Sequence, residues 1–187
     1  ITLSAITTGK KNVHEKAAAI TEWVRDTITM LEGPEIVDEA VRESLADVVK
    51  AREGTENEKV VLAAVMMEQA GVPVTVATTR DPALGPLDKT WEHSVQMTEG
   101  LLRVDADGEV RYYAPTCTDC PPGTVPPSLA GVEALVYDEG LAEKARAYNE
   151  KLRTESIASG ALDLGRITHE VAEQDWSRFE TLPTVSQ

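Results

Sequence analysis

The chain lacks what would mark it for nucleic acid, a bilayer or a disulfide framework. Its 18 Lys and Arg stand against 32 Asp and Glu, a net charge of −14. Phosphate backbones are bound by basic faces, so nucleic acid is not expected as a partner. No apolar run approaches the ~20 residues that cross a bilayer, so no membrane span is expected. There are two cysteines, Cys117 and Cys120. They are too few for a framework, and they do not fix the redox compartment. A zinc site needs four ligands, yet there is no second C-x-x-C and no H-x₃-H, so neither a metal nor another cofactor is expected. No internal repeat or low-complexity run is present. A chain that starts at Ile1 and not Met fits a processed protein or an excised domain.

What is present is an ordinary globular composition in 187 residues. That length suits one domain burying roughly two-thirds or more of its unfolded surface. Residues 1–12 are polar and read as a loosely held lead-in. From Val13 to about Met30, Ala17, Ile20, Trp23, Val24, Thr27 and Ile28 recur at helical spacing. Gly33-Pro34 breaks the chain. A second helix is expected over Val37–Arg52 with Val41, Leu45, Val48 and Val49 inward, and Gly54 fits a left-handed cap after it. Thr55-x-x-Glu58 matches a capping box for a third helix over about 56–70. The apolar run Val60–Met67 predicts burial of that helix on nearly every side.

Val72, Val74 and Val76 predict a strand over 72–79, and residues 80–90 a loop. Further strands are expected over about Trp91–Thr98 and Val110–Thr116, with Asp105-Ala106-Asp107-Gly108 as the turn between them. The proline-rich stretch 117–131 reads as a loop and Glu133–Tyr137 as a short strand. The tail predicts helices over about 139–159 and 162–179, with Ile167, Val171, Ala172, Trp176 and Phe179 in an apolar stripe. That stripe fits either packing on this domain or a neighbour. Helices followed by antiparallel strands imply an α+β fold.

Four segments in order resemble bacterial transglutaminase-like domains of the papain-type cysteine protease/transglutaminase superfamily. They are Ile20–Val24; Gly54 with Leu62-Ala63-Ala64 and Gln69-Ala70-Gly71-Val72-Pro73-Val74; Trp91-Glu92-His93-Ser94-Val95; and Tyr112-Tyr113-Ala114-Pro115-Thr116. Gly123–Pro126 and Gly131–Val136 continue the likeness, which spans about 15–137. It implies a papain-like core, with a buried central helix packed on an antiparallel sheet and a helical C-terminal extension. The expected division is a lead-in over 1–12, the transglutaminase-like domain over 13–137 and the extension over 138–187. Relatives of this kind often sit in the cell envelope or are exported.

Carried over residue by residue, the thiol nucleophile falls at Glu56, the base at His93 and the orienting carboxylate at Ala114. The chemistry needs all three: a thiolate to attack, an imidazole to move the proton and a carboxylate to hold its tautomer. The resemblance therefore implies a degenerate triad with no confident catalytic residue. At a helix N-terminus, Glu56 is favoured by ~0.3–1 kcal/mol, and an ion pair to His93 completes the plain reading. The sharper one makes Glu56 and His93 an acid–base pair, or Cys117 a displaced nucleophile serving His93. Cys117-x-x-Cys120 reads as a redox pair, half a metal site, two free thiols or a local disulfide pinning the loop. Pro121-Pro122 opposes the helix that a redox motif opens. His14 and His169 read as exposed helix residues. The function expected is an inactive domain that acts as a scaffold or as a binding module whose cleft, at Glu56, Asn57, Trp91 and His93, holds a peptide or protein. The partner could be a neighbouring domain of the same polypeptide. The alternative is a hydrolase or transferase with a relocated catalytic set.

Overall fold

The computed structural model describes residues 2–31, 45–88, 96–137 and 179–184. The chain opens with α1 (Leu3–Thr7), capped by the Thr2 hydroxyl, and α2 (Val13–Thr27), whose N-terminus Asn12 caps through the Glu15 N–H at 2.8 Å. The polar lead-in is therefore not loose over 3–7: Leu3 and Ile6 lie against the core. Along α2, Ala17, Ile20 and Val24 are buried, as their spacing predicts, and Ile28 follows as a buried cap.

His14 departs from its expected exposure. It is 7% exposed, with Nδ1 3.1 Å from the Tyr113 hydroxyl and Nε2 3.1 Å from the Ala106 carbonyl. A helical face cannot show this from sequence, because both partners lie more than 90 residues away.

Two-residue strands β1 (Thr29–Met30) and β2 (Glu53–Gly54) pair in parallel around α3 (Leu45–Ala51), and α4 (Glu56–Gln69) follows. Helix α3 buries Val48 but leaves Val49 38% exposed, against the expected face. The expected start of that helix, including Val41, lies outside the described residues. Arg52, with φ 58°, takes the left-handed turn expected at Gly54. Gly54 instead sits close to the core. A Cβ there would stand 3.1 Å from Val48 Cγ1 and 3.3 Å from Ile28 Cγ2, so a side chain would have to press these neighbours back by a few tenths of an ångström. Helix α4 is buried through Val60, Leu62, Ala63, Ala64 and Met67, but Val61 is 46% exposed. One face of α4 reaches solvent despite its apolar run.

The sheet has five antiparallel strands in the order β5-β4-β3-β6-β7. Strand β3 (Val74–Thr79) is central; β4 (Glu99–Ala106) and β5 (Glu109–Tyr113) form a hairpin on one side, and β6 (Glu133–Tyr137) and β7 (Phe179–Thr181) lie on the other. The hairpin turns on Asp107 and Gly108, both at positive φ (56° and 78°), so Asp105 and Ala106 remain in the strand. The strand expected to end at Thr98 instead begins at Glu99, and 91–95 lie outside the described residues. Ala114 and Pro115 leave the ladder earlier than expected. Phe179, expected at the end of a helix, opens β7; residues 138–178, Trp176 included, lie outside the described residues.

Alternation along the strands gives two cores. Val74, Val76, Leu102, Val104 and Tyr113 face α2 and α4. Ala77, Leu101, Tyr112, Ala114, Ala134, Val136 and Leu182 form the other, with Val125 and Leu129 from the proline-rich loop. Laid flat, five strands would separate the outer two by about 19 Å. Yet Tyr112 on β5 donates to Glu180 on β7 at 2.7 Å. The sheet is therefore curled, and the second core fills its concave side.

Candidate active site at the N-terminus of helix α4

The N-terminus of α4 is tightly specified. The Thr55 hydroxyl accepts from the Glu58 N–H (3.2 Å), and the Glu58 carboxylate accepts from the Thr55 N–H (2.8 Å), closing the capping box. One turn on, Lys59 is buried and donates from Nζ to the Ile28 carbonyl at 2.8 Å, tying α4 to the end of α2. Burial lowers its pKa, opposed by the charge of Asp26 and assisted by that of Arg25. On the sheet side α4 lies almost on the backbone of β4. A Cβ at Gly100 would stand 2.9 Å from Val60 Cγ2, so only glycine permits the approach.

Glu56 lies in this seam, and its neighbour Asn57 is exposed. Burial raises the Glu56 pKa, and a hydrogen bond from the Gly100 N–H works against that rise. Its Oε1 is buried without a hydrogen-bond partner. The Glu99 pKa is also raised, first by burial and then by the negative charges of Glu56 and Asp81. Thus the residue of β4 that shares an electrostatic environment with Glu56 is a second acid. Sequence reasoning missed Glu99 and Asp81 because nothing in their spacing brings them to residue 56. The register of β4 on β3, with Glu99 opposite Thr79, does so.

His93 and Trp91 lie outside the described residues. The chain on either side of them is held at Asp88 and Gln96. There the Asp88 N–H donates to the Gln96 side-chain carbonyl (2.9 Å), and the Gln96 amide donates to the Asp88 carbonyl (2.8 Å). Arg80 adds bonds to the carbonyls of Leu84, Gly85 and Gln96.

Ala114 is 6% exposed and packs in the concave core, the same cluster as Leu101 and Leu182. Immediately beyond, Cys117 and Cys120 form a disulfide, and the chain has no free cysteine. With its sulfur bonded to Cys120, Cys117 has no thiolate to offer, which removes the displaced-nucleophile reading for the oxidised protein. The loop is tied further by Arg25 Nη1 to the Cys120 carbonyl (3.2 Å) and by the Cys117 N–H to the Ala114 carbonyl (3.2 Å). Among the described residues no group of three or more His, Cys, Asp or Glu is arranged to hold a metal, and no helix is long and apolar enough to cross a membrane.

The model of the transglutaminase-like superfamily matches residues 2–105, more than half of the chain, and the chain belongs to that superfamily. Among solved structures it is similar to a putative protease from Parabacteroides distasonis ATCC 8503, at 19% identity and a TM-score of 0.49, over 66% of this chain and 27% of that one. It is also similar to a putative cysteine protease from Cytophaga hutchinsonii, at 18% identity and a TM-score of 0.46, over 61% of this chain and 35% of that one. The chain thus spans about a third or less of each of those proteins. No curated protein matches it.

Proposed function

We propose that this is a catalytically inactive transglutaminase-like domain that binds a peptide or protein segment. The observation that carries the reading is that both cysteines of the chain are joined in one disulfide, while Glu56 opens the helix from which a thiolate would attack. A carboxylate cannot replace that thiolate in amide transfer. It would have to expel an amine and form an anhydride, with no gain in leaving group. Position 114 has moved from chemistry to packing, since its methyl group lies in an apolar cluster where an unpaired aspartate would be costly. The partner is a polypeptide, a neighbouring domain of the same protein included; the net charge of −14 disfavours nucleic acid.

Incorporation of a fluorescent primary amine into a glutamine-rich protein tests the reading. No incorporation is expected from the native chain, with or without a reductant, nor from Glu56→Cys. Incorporation by the native chain that vanishes in Cys117→Ser would overturn the inactive reading. It would favour a relocated catalytic set working with His93.

The raised pKa values of Glu56 and Glu99 support a second reading, a hydrolase in which one of these acids supplies a proton. Turnover of a small ester or amide that falls at least a hundredfold in Glu56→Gln would establish it.

A further inference from the structure

We propose that β7 occupies a receptor for an extended peptide. The groove along β6 takes a strand carrying an acidic residue and, two positions on, an aliphatic one, and it accepts such a strand from another polypeptide when β7 is displaced. This rests on the binding reading above and names the class of partner.

The contacts of β7 include a ladder and two anchors. The ladder is main-chain pairing with β6: Phe179 opposite Leu135, Glu180 opposite Ala134 and Thr181 opposite Glu133. It continues past the strand through the Leu182 N–H to the Val132 carbonyl (2.8 Å) and the Gly131 N–H to the Leu182 carbonyl (3.2 Å). Such bonds accept any sequence and supply affinity without specificity.

The anchors supply the specificity. Glu180 Oε2 accepts from Arg103 Nε at 2.8 Å and from the Tyr112 hydroxyl at 2.7 Å. Both donors are buried, at 9% and 3% exposure, and come from β4 and β5, across the curl of the sheet. Tyr112 keeps its donor proton, because burial and then the bond to Glu180 push its pKa up to about 12. Two residues on, Leu182 is 1% exposed in the cluster that holds Ala77, Leu101 and Ala114. The alternation of an extended chain points residues 180 and 182 to one face, so one short strand fills both anchors at once.

The pairing is not imposed by a turn. An antiparallel neighbour can be joined by two residues, whereas β6 and β7 are separated by residues 138–178. The ladder and the two anchors are contacts that a strand from another chain can reproduce.

The test uses the full chain. A fluorescent peptide copying residues 179–184 (Phe-Glu-Thr-Leu-Pro-Thr) is titrated by anisotropy against the native protein and against Glu180→Ala/Leu182→Ala. The variant, with β7 weakened, is expected to bind at least tenfold more tightly than the native chain. A peptide with Ala at the Glu and Leu positions is expected to lose at least tenfold on the same variant. Equal affinities for native and variant chains, or for the two peptides, would overturn the proposal. Should the variant not fold, the full chain with a site-specific protease sequence inserted within 138–178 is cut and kept as a complex. Excess peptide is expected to release the C-terminal fragment on size exclusion, and a fragment that stays bound at saturating peptide overturns the proposal. Either failure leaves the inactive reading standing, since that reading falls only to amine incorporation or turnover by the native chain.

Discussion

Glu56 and Glu180 are partly buried acids associated with opposite faces of one sheet, and the fold treats them in opposite ways. Glu180 meets a guanidinium and a phenol, and the bond and charge of Glu180 hold the Arg103 pKa up although burial pulls it down. Burial raises the Glu56 pKa, a backbone N–H at Gly100 works against that rise, and the charge of Glu56 in turn raises the pKa of a second acid, Glu99. The first arrangement spends an acid on fastening the chain. The second keeps an acid in a place where burial disfavours its charge, at the N-terminus of α4.

The comparison breaks most readily at Arg103. Arg103→Ala removes the guanidinium that bonds Glu180 at 2.8 Å, and removing one member of a buried pair costs about 3 kcal/mol. At ~2–4 °C per kcal/mol for a chain of this size, the melting temperature is expected to fall by roughly 6–12 °C. A fall of under about 2 °C in a thermal melt would show that β7 does not depend on this anchor.

Gly100→Ala sharpens the other side. The new methyl group meets Val60, whose branched side chain has little freedom to turn away, so a loss of ~1–3 kcal/mol is expected by denaturant titration. Any retreat of β4 also withdraws its N–H from Glu56, so the Glu56 pKa is expected to rise further when followed by NMR. An unchanged Glu56 titration would sever the link drawn between the close approach and that acid.

The smallest effect concerns the acids themselves. Each has a folded-state pKa above its ordinary 4.5, so each favours folding below that value and loses that contribution as pH rises through the raised one. Glu56→Gln/Glu99→Gln is therefore expected to melt slightly above the native chain at neutral pH, by up to ~1 kcal/mol, a difference that shrinks toward pH 4. A gap that widens on acidification would show that the sign assigned to these two groups is wrong.

The parts of the fold legible in sequence are those whose causes are local. The capping box at Thr55 and Glu58, the inward face of α2 and the Asp107–Gly108 turn each depend on residues within a few positions of one another. The misread parts have distant causes. A glycine after a helix usually is a left-handed cap, but at Gly54 what favours glycine is the close approach of Val48 and Ile28 to its backbone. Strand β4 was missed at 99–104 because Glu99, Gly100 and Arg103 break the apolar alternation, and each has a use only once α4 and β7 are in place.

Sequence alone determined the superfamily pattern, the helical layer and the absence of cysteine from position 56, since these rest on residue identity and short-range periodicity. Tertiary structure alone decided that Glu99 shares the environment of Glu56, that His14 is buried on Tyr113, and that Glu180 and Leu182 close the concave side. The physical reason is the curl of the sheet. It brings side chains tens of residues apart to hydrogen-bonding distance, and register and curvature belong to the assembled strands, not to any one of them.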